Sequence, residues 1–233
     1  MNDSRQSGVT LACFSPLVIF LSFAIEALLG VFALWRYRKS VLGRLVAVFL
    51  FLLAGFQISE LFICGGASSE FWTRFGYACT AFLPVVGIDL IERMTGKRVY
   101  TTLGYAMAAS FTVIITSYPN LFQLSECTGK FVAMQATYSG FEILYLVYYL
   151  AALLLGVGLA YEARNKKALR PIMNWLIIGY ASFMIPTFLL NVFVSTTRVG
   201  IGSILCGFAV IVACIMAGKV LPLMEKAKLI SRG

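Results

Sequence analysis

Residues 42–63 read LGRLVAVFLFLLAGFQISELFI. Apart from Arg44 near one end and Gln57, Ser59 and Glu60 near the other, every position is apolar or glycine. A helix rises 1.5 Å per residue, so a run of this length crosses the ~30 Å hydrocarbon core of a bilayer. A barrel strand would instead show about ten residues of alternating polarity. The run shows no such alternation and is unbroken apolar or glycine over 45–56, and it reads as a membrane-spanning helix.

The rest of the chain repeats the pattern. Of its 233 residues 60% are hydrophobic and 12% charged, about half the charged share of a soluble domain. The mean hydropathy is +0.88. This balance excludes a soluble globule, a disordered chain, a coiled coil and collagen. Seven apolar runs stand out, at 17–35, 42–63, 72–91, 99–117, 141–161, 172–194 and 199–218. The expectation is an all-α membrane protein, a seven-transmembrane helix bundle forming one domain over 1–233, with 221–233 as a short cytoplasmic tail. That tail alternates apolar and charged residues after Pro222, a pattern open to an interfacial helix or to fraying. The first run is too long for a removable signal peptide and is followed by Trp35-Arg36-Tyr37-Arg38-Lys39 as a stop-transfer flank.

Basic residues set the expected orientation. Alternate connections and the tail hold Arg36, Arg38, Lys39, Arg44, Arg93, Lys97, Arg98, Arg164, Lys166, Lys167, Arg170, Lys219, Lys226, Lys228 and Arg232. These are 15 of the 19 basic residues; the other side has Arg5, Arg74, Lys130 and Arg198. The N-terminus is therefore expected outside and the C-terminus in the cytoplasm. The net charge of +9 belongs to loops beside an anionic leaflet, so the partner implied is the lipid bilayer and not nucleic acid.

Histidine is absent, which removes His-ligated haem, His-based triads and most zinc sites. No Gly-rich phosphate loop occurs, and no lysine lies mid-span for a retinal Schiff base. The chain is not expected to be an enzyme or to carry a cofactor or metal. Of six cysteines, Cys64 and Cys127 fall in outer-side segments. A disulfide between them would close a loop of about 62 residues, constraining the unfolded chain by on the order of 4 kcal/mol. Free thiols, or Cys79 in place of Cys64, are the alternatives.

Polar groups inside spans are costly and are candidate functional residues. Glu26 lies near the middle of the first span, Gln57 and Glu60 in the outer part of the second, Glu142 at the outer start of the fifth and Asn191 in the outer third of the sixth. Glu142, Tyr145 and Tyr149 share a helix face. Glu26, Gln57, Glu60, Glu142, Tyr145, Tyr149 and Asn191 are thus candidates for a small-ligand pocket opening outward; interhelical hydrogen bonding, or pairing of Glu60 or Glu142 with Arg74 or Arg198, is the competing reading. Asp89 and Glu92 are expected to pair with Arg93, Lys97 or Arg98. Pro84 and Pro186 are expected to kink the third and sixth helices. Gly202, Cys206, Ala209, Ala213 and Ala217 form a small-residue stripe suited to close helix packing or to a homodimer face.

The run Phe71-Trp72-Thr73-Arg74-Phe75-Gly76-Tyr77, the pair Leu83-Pro84 after Phe82, and the turn Thr95-Gly96-Lys97 resemble the seven-helix N-terminal region of bacterial histidine kinases and diguanylate cyclases. The resemblance implies a sensory membrane module of the bacterial cytoplasmic membrane. The sequence continues about 14 residues past its last span with no kinase or cyclase, so a separate signalling or complex partner on the cytoplasmic side is expected. A small-solute transporter is the alternative. It is disfavoured because Pro84 and Pro186 do not occupy matching positions of two repeats.

Overall fold

The computed structural model describes residues 16–67, 69–122, 126–127, 132–133, 136–193 and 201–230. The helices are α1 (Pro16–Tyr37), α2 (Val41–Cys64), α3 (Ser69–Thr95), α4 (Thr101–Ser117), α5 (Ser139–Ala163), α6 (Arg170–Phe193) and α7 (Ile201–Ile215). A π-helical turn, Met216–Val220, leads into a final helix, α8 (Leu221–Lys226). Between α4 and α5 two short antiparallel strands, β1 (Glu126–Cys127) and β2 (Val132–Ala133), pair Glu126 with Ala133 and Cys127 with Val132.

Six helices are long and apolar enough to cross a membrane: Leu17–Tyr37, Val41–Cys64, Glu70–Thr95, Ser139–Ala163, Arg170–Phe193 and Ile204–Lys226. The protein is a helical, multi-pass membrane protein. Exposed apolar side chains such as Leu28, Trp35, Ile143, Leu154, Phe188 and Phe193 face outward and contact lipid. The remaining apolar helix, α4, has 17 residues, about 26 Å at 1.5 Å per residue.

Consecutive helices from α1 to α4 and from α5 to α7 pack on one another; α5 packs on α3, and α7 closes back onto α1 and α2. The central helix is α3: 78% of its apolar window is buried, against 28% for α1 and for α6. Burial inside protein explains how α3 tolerates the lowest hydropathy of the six. Its neighbours, not lipid, solvate its polar groups.

The polar ends of α3 complete the short α4. At one end Glu92 accepts the backbone N–H groups of Val99 (2.9 Å), Tyr100 (2.9 Å) and Thr101 (3.0 Å) and the Thr101 hydroxyl (2.6 Å). These are N–H groups that the first turn of α4 cannot bond internally. At the other end the Arg74 guanidinium donates to the carbonyls of Ile115 and Tyr118 (2.8 Å for the latter). A carboxylate at the N-terminus and a guanidinium at the C-terminus both oppose the helix dipole favourably. The α3–α4 turn itself passes through Gly96 at φ 78°, a left-handed conformation that glycine adopts without steric cost.

The tail is packed. Leu221 and Met224 are fully buried, and Tyr37 Oη donates to Glu225 Oε2 (3.1 Å), tying the end of α1 to α8. Lys219 lies over the Trp175 ring, 5.5 Å from its centroid, a cation–π contact between α6 and the π-helical turn. The chain thus stays helical and docked through Lys226, beyond the limit of 218 that its apolar run suggests.

Candidate functional site

The inward side of α1 is a single stripe. Ile19, Ser22, Glu26, Gly30, Ala33 and Tyr37 are buried at three- and four-residue spacing, the signature of one helix face. Glu26 sits at the centre of that stripe with no exposed surface. Neither of its carboxylate oxygens has a hydrogen-bond partner. Glu60 of α2, itself 1% exposed, lies close enough to act on Glu26 electrostatically. Cys206 of α7 lies close to both acids. One turn before Glu60, Gln57 donates from Nε2 to the Cys206 carbonyl (2.9 Å). A polar seam therefore joins α1, α2 and α7 inside the bundle.

Close helix approach frames the seam on the α3 side. A methyl placed on Gly55 would lie 2.8 Å from Cys79 Sγ, and one on Gly76 would lie 2.5 Å from Ser59 Oγ. Small residues at these positions allow α2 and α3 to approach closely. The buried Ser59 hydroxyl donates to the Phe56 carbonyl (2.6 Å), so it makes no demand on the seam.

A second cluster stitches the proline-bearing α3 to α5. Tyr145 Oη lies 2.7 Å from Thr80 Oγ1 and donates to the Tyr77 carbonyl (2.9 Å). Tyr148 donates to the Ala81 carbonyl (2.6 Å). Pro84 has no N–H, so the Thr80 carbonyl four residues before it loses its helical donor; the two tyrosine hydroxyls bond the carbonyls on either side of it in sequence, Tyr77 and Ala81. Helix α3 is continuous across Pro84 and α6 across Pro186. In α6 the hydroxyls of Ser182 and Thr187 donate to the Gly179 and Phe183 carbonyls (2.7 Å each). Tyr180 of α6 places its hydroxyl where a side chain on Gly87 of α3 or on Gly156 of α5 would have to go.

Seam and tyrosines meet at a cavity beside Pro84, lined by Tyr149, Tyr180, Phe183 and Cys206 among others. Its volume is about 20 Å³. That is room for one water, whereas pockets for small molecules measure ~300–1,000 Å³.

The candidate residues separate accordingly. Glu26, Gln57 and Glu60 come together. Tyr145 and Tyr149 are buried in the aromatic cluster, and Tyr149 reaches toward Cys206. Glu142, one turn earlier on the same face, is exposed at the helix start. Asn191 donates to the Thr187 carbonyl of its own helix (2.9 Å). Arg74 pairs with Glu70 (2.7 Å) and with the end of α4; Arg198 lies outside the described residues. Asp89 pairs with Arg93 (2.5 Å), as expected, and accepts from the Tyr105 hydroxyl (3.3 Å). Glu92 instead caps α4, because buried backbone N–H groups need a partner, while exposed Lys97 pairs with Glu162 of α5 (3.2 Å) and Arg98 is exposed.

Among the described residues the free thiols are Cys79, Cys206 and Cys214, so Cys79 is no alternative partner in a disulfide. Cys64 is not among them, and β1, which carries Cys127, packs against α2. The side chain of Cys127 and the residues Cys13, Lys130 and Arg232 lie outside the described set. The small-residue stripe of α7 is spent inside the chain: Cys206, Ala209, Ala213 and Ala217 are all buried.

No family model matches the chain, and no curated protein matches it. The seam therefore carries the functional argument alone. Sequence reading placed Glu26 at mid-span, but the pairing of Glu26 with Glu60 joins two helices and has no signal within either one.

Proposed function

We propose that the chain is a seven-span sensor or accessory module of a bacterial cytoplasmic membrane, with α4 as the additional span. Its N-terminus lies outside and its C-terminus in the cytoplasm, as the distribution of basic residues favours. It acts by changing the packing of its own helices and passing that change to a separate protein on the basic side. The observation that carries this reading is the seam itself: a fully buried acid with unpartnered oxygens, within electrostatic reach of a second acid, in a helix that is mostly exposed. Intramembrane ionisable groups are costly, and they persist where function requires them.

Two features favour a module over a carrier. Both proline-bearing helices run through without interruption, whereas carriers bind substrate at discontinuous helices. The central cavity is also too small to hold a solute. A disulfide between Cys64 and Cys127 belongs to the same reading, supported by the packing of β1 on α2 and by an outer location.

Extraction of the full chain from its native membrane in mild detergent, followed by native mass spectrometry, tests the proposal. The expected result is a co-purifying protein at fixed stoichiometry, lost when Arg98 and Lys167 on the basic side are both changed to Gln. A lone chain that moves a solute into liposomes would overturn the proposal in favour of transport.

A further inference from the structure

We propose that the Glu26–Glu60 carboxyl pair is a proton-binding site inside the bundle, and that its occupancy sets how tightly α1 docks against α2 and α7. This deepens the functional reading above and rests on the bundle lying in a membrane, but on no partner protein.

Only one narrow stripe of α1 is buried, and its other faces carry exposed Leu17, Leu21, Leu28 and Val31. Lipid and protein solvate those apolar faces about equally well, so the stripe alone decides whether α1 docks. Glu26 is the ionisable group in the inner part of that stripe, and α2, which packs on α1, brings the buried Glu60 within electrostatic reach of it. Among the described residues, the other titratable groups that act on it come from α7: Cys206, near both acids, and Cys214, near Glu26. Cys79 of α3 stands behind Cys206.

An ionised carboxylate with no donor in such surroundings costs several kcal/mol, and two adjacent ones repel. A proton added to a carboxylate oxygen removes both costs and turns that oxygen into a donor. The neutral carboxylic acid can then sit in the stripe. Loss of the proton to water restores a buried charge, which is relieved when α1 shifts outward and admits solvent. The bound species is a proton because a multivalent metal needs more ligands. Among the described residues no group of three or more His, Cys, Asp or Glu converges.

The test uses the full chain in lipid nanodiscs, with infrared difference spectra recorded as pH is raised and glutamate labelled with ¹³C to separate it from Asp89. The expected result is a carboxylic-acid C=O band that persists at neutral pH and disappears in Glu26→Gln. Backbone hydrogen exchange in α1, corrected for intrinsic rates and referred to α3, should rise roughly tenfold as the band is lost, the effect of about 1.4 kcal/mol. In Glu26→Gln the α1 exchange should no longer depend on pH. If Glu26→Gln fails to fold, Glu26→Asp keeps the carboxyl and should shift the band without abolishing it. A band unchanged in either variant, or a wild type fully ionised at neutral pH, overturns the assignment. Loss of the band on replacing K⁺ with Na⁺ at constant pH overturns it in favour of a sodium site. None of these readouts needs a partner, so failure here is separate from failure of the module reading.

Discussion

Replacing Glu92 by alanine removes four hydrogen-bond acceptor contacts in one step. Oε1 serves Val99 and Tyr100, and Oε2 serves the Thr101 amide and hydroxyl. Loss of a helix N-cap costs up to about 2 kcal/mol, and stranding the buried Thr101 hydroxyl adds about 1 kcal/mol. Hydrogen bonds to a charged acceptor contribute about 1.5–3 kcal/mol each, but they are not additive and water near the loop replaces some of them. The expected cost of Glu92→Ala is therefore about 3 kcal/mol. Glu92→Gln turns an amide NH₂ toward two donors whichever way it is oriented, and should cost about 2 kcal/mol. Thr101→Val removes one partner and leaves the carboxylate and backbone in place, at about 1 kcal/mol. Equilibrium unfolding in mixed micelles gives this order, and hydrogen exchange at 101–104 localises the loss to the start of α4. The reasoning is refuted if Glu92→Ala lies within about 0.5 kcal/mol of wild type, the range of an ordinary surface change, or if Thr101→Val costs more than Glu92→Ala.

Other expectations concern the helix contacts. Gly87→Ala forces a methyl into the Tyr180 hydroxyl and should cost about 1–3 kcal/mol; Tyr180→Phe should recover most of it in a double-mutant cycle, and additive costs would show that the two do not touch. Arg74→Gln should cost about 1–2 kcal/mol by uncapping α4, read as faster exchange at 115–118 with the start of α4 unchanged. Tyr148→Phe frees the Ala81 carbonyl and should cost about 1 kcal/mol, measured by thermal unfolding in detergent. Peptide mapping without reductant should return Cys64 joined to Cys127, whereas an alkylated Cys64 removes that bridge.

The helix boundaries were largely legible because hydrocarbon imposes its own ruler. The run 42–63 became Val41–Cys64 and the run 172–194 became Arg170–Phe193, since charges, glycine and proline end an apolar stretch where helix and lipid also end. The last apolar run ends at 218, but the chain continues helical through the π turn into α8 because Pro222 sits at its start, where a missing N–H costs little; of the two readings open for the tail, a helix after Pro222 is what forms. The Tyr145–Tyr149 face was legible from spacing, but Glu142 was not, because the first turn of a helix reaches water whatever face it occupies. Glu92 was assigned to nearby bases by counting charges. Charge counting cannot see that a turn through Gly96 would bring the three backbone amides 99–101 onto its carboxylate. The meeting of Glu26 and Glu60 depends on how α1 and α2 rotate about their axes, and in a chain apolar on every face the pattern leaves that rotation free.

The phenol of Tyr180, lodged between Gly87 and Gly156, acts as a bolt through three helices. Sliding α3 along α5, or turning α6 between them, would first require its withdrawal into space that side chains already fill. Tyr180 thus fastens α3, α5 and α6 at one point, and Glu92 and Arg74 clip α4 to α3 at both ends. Glu26 and Glu60 lie outside this fastening, on α1 and α2.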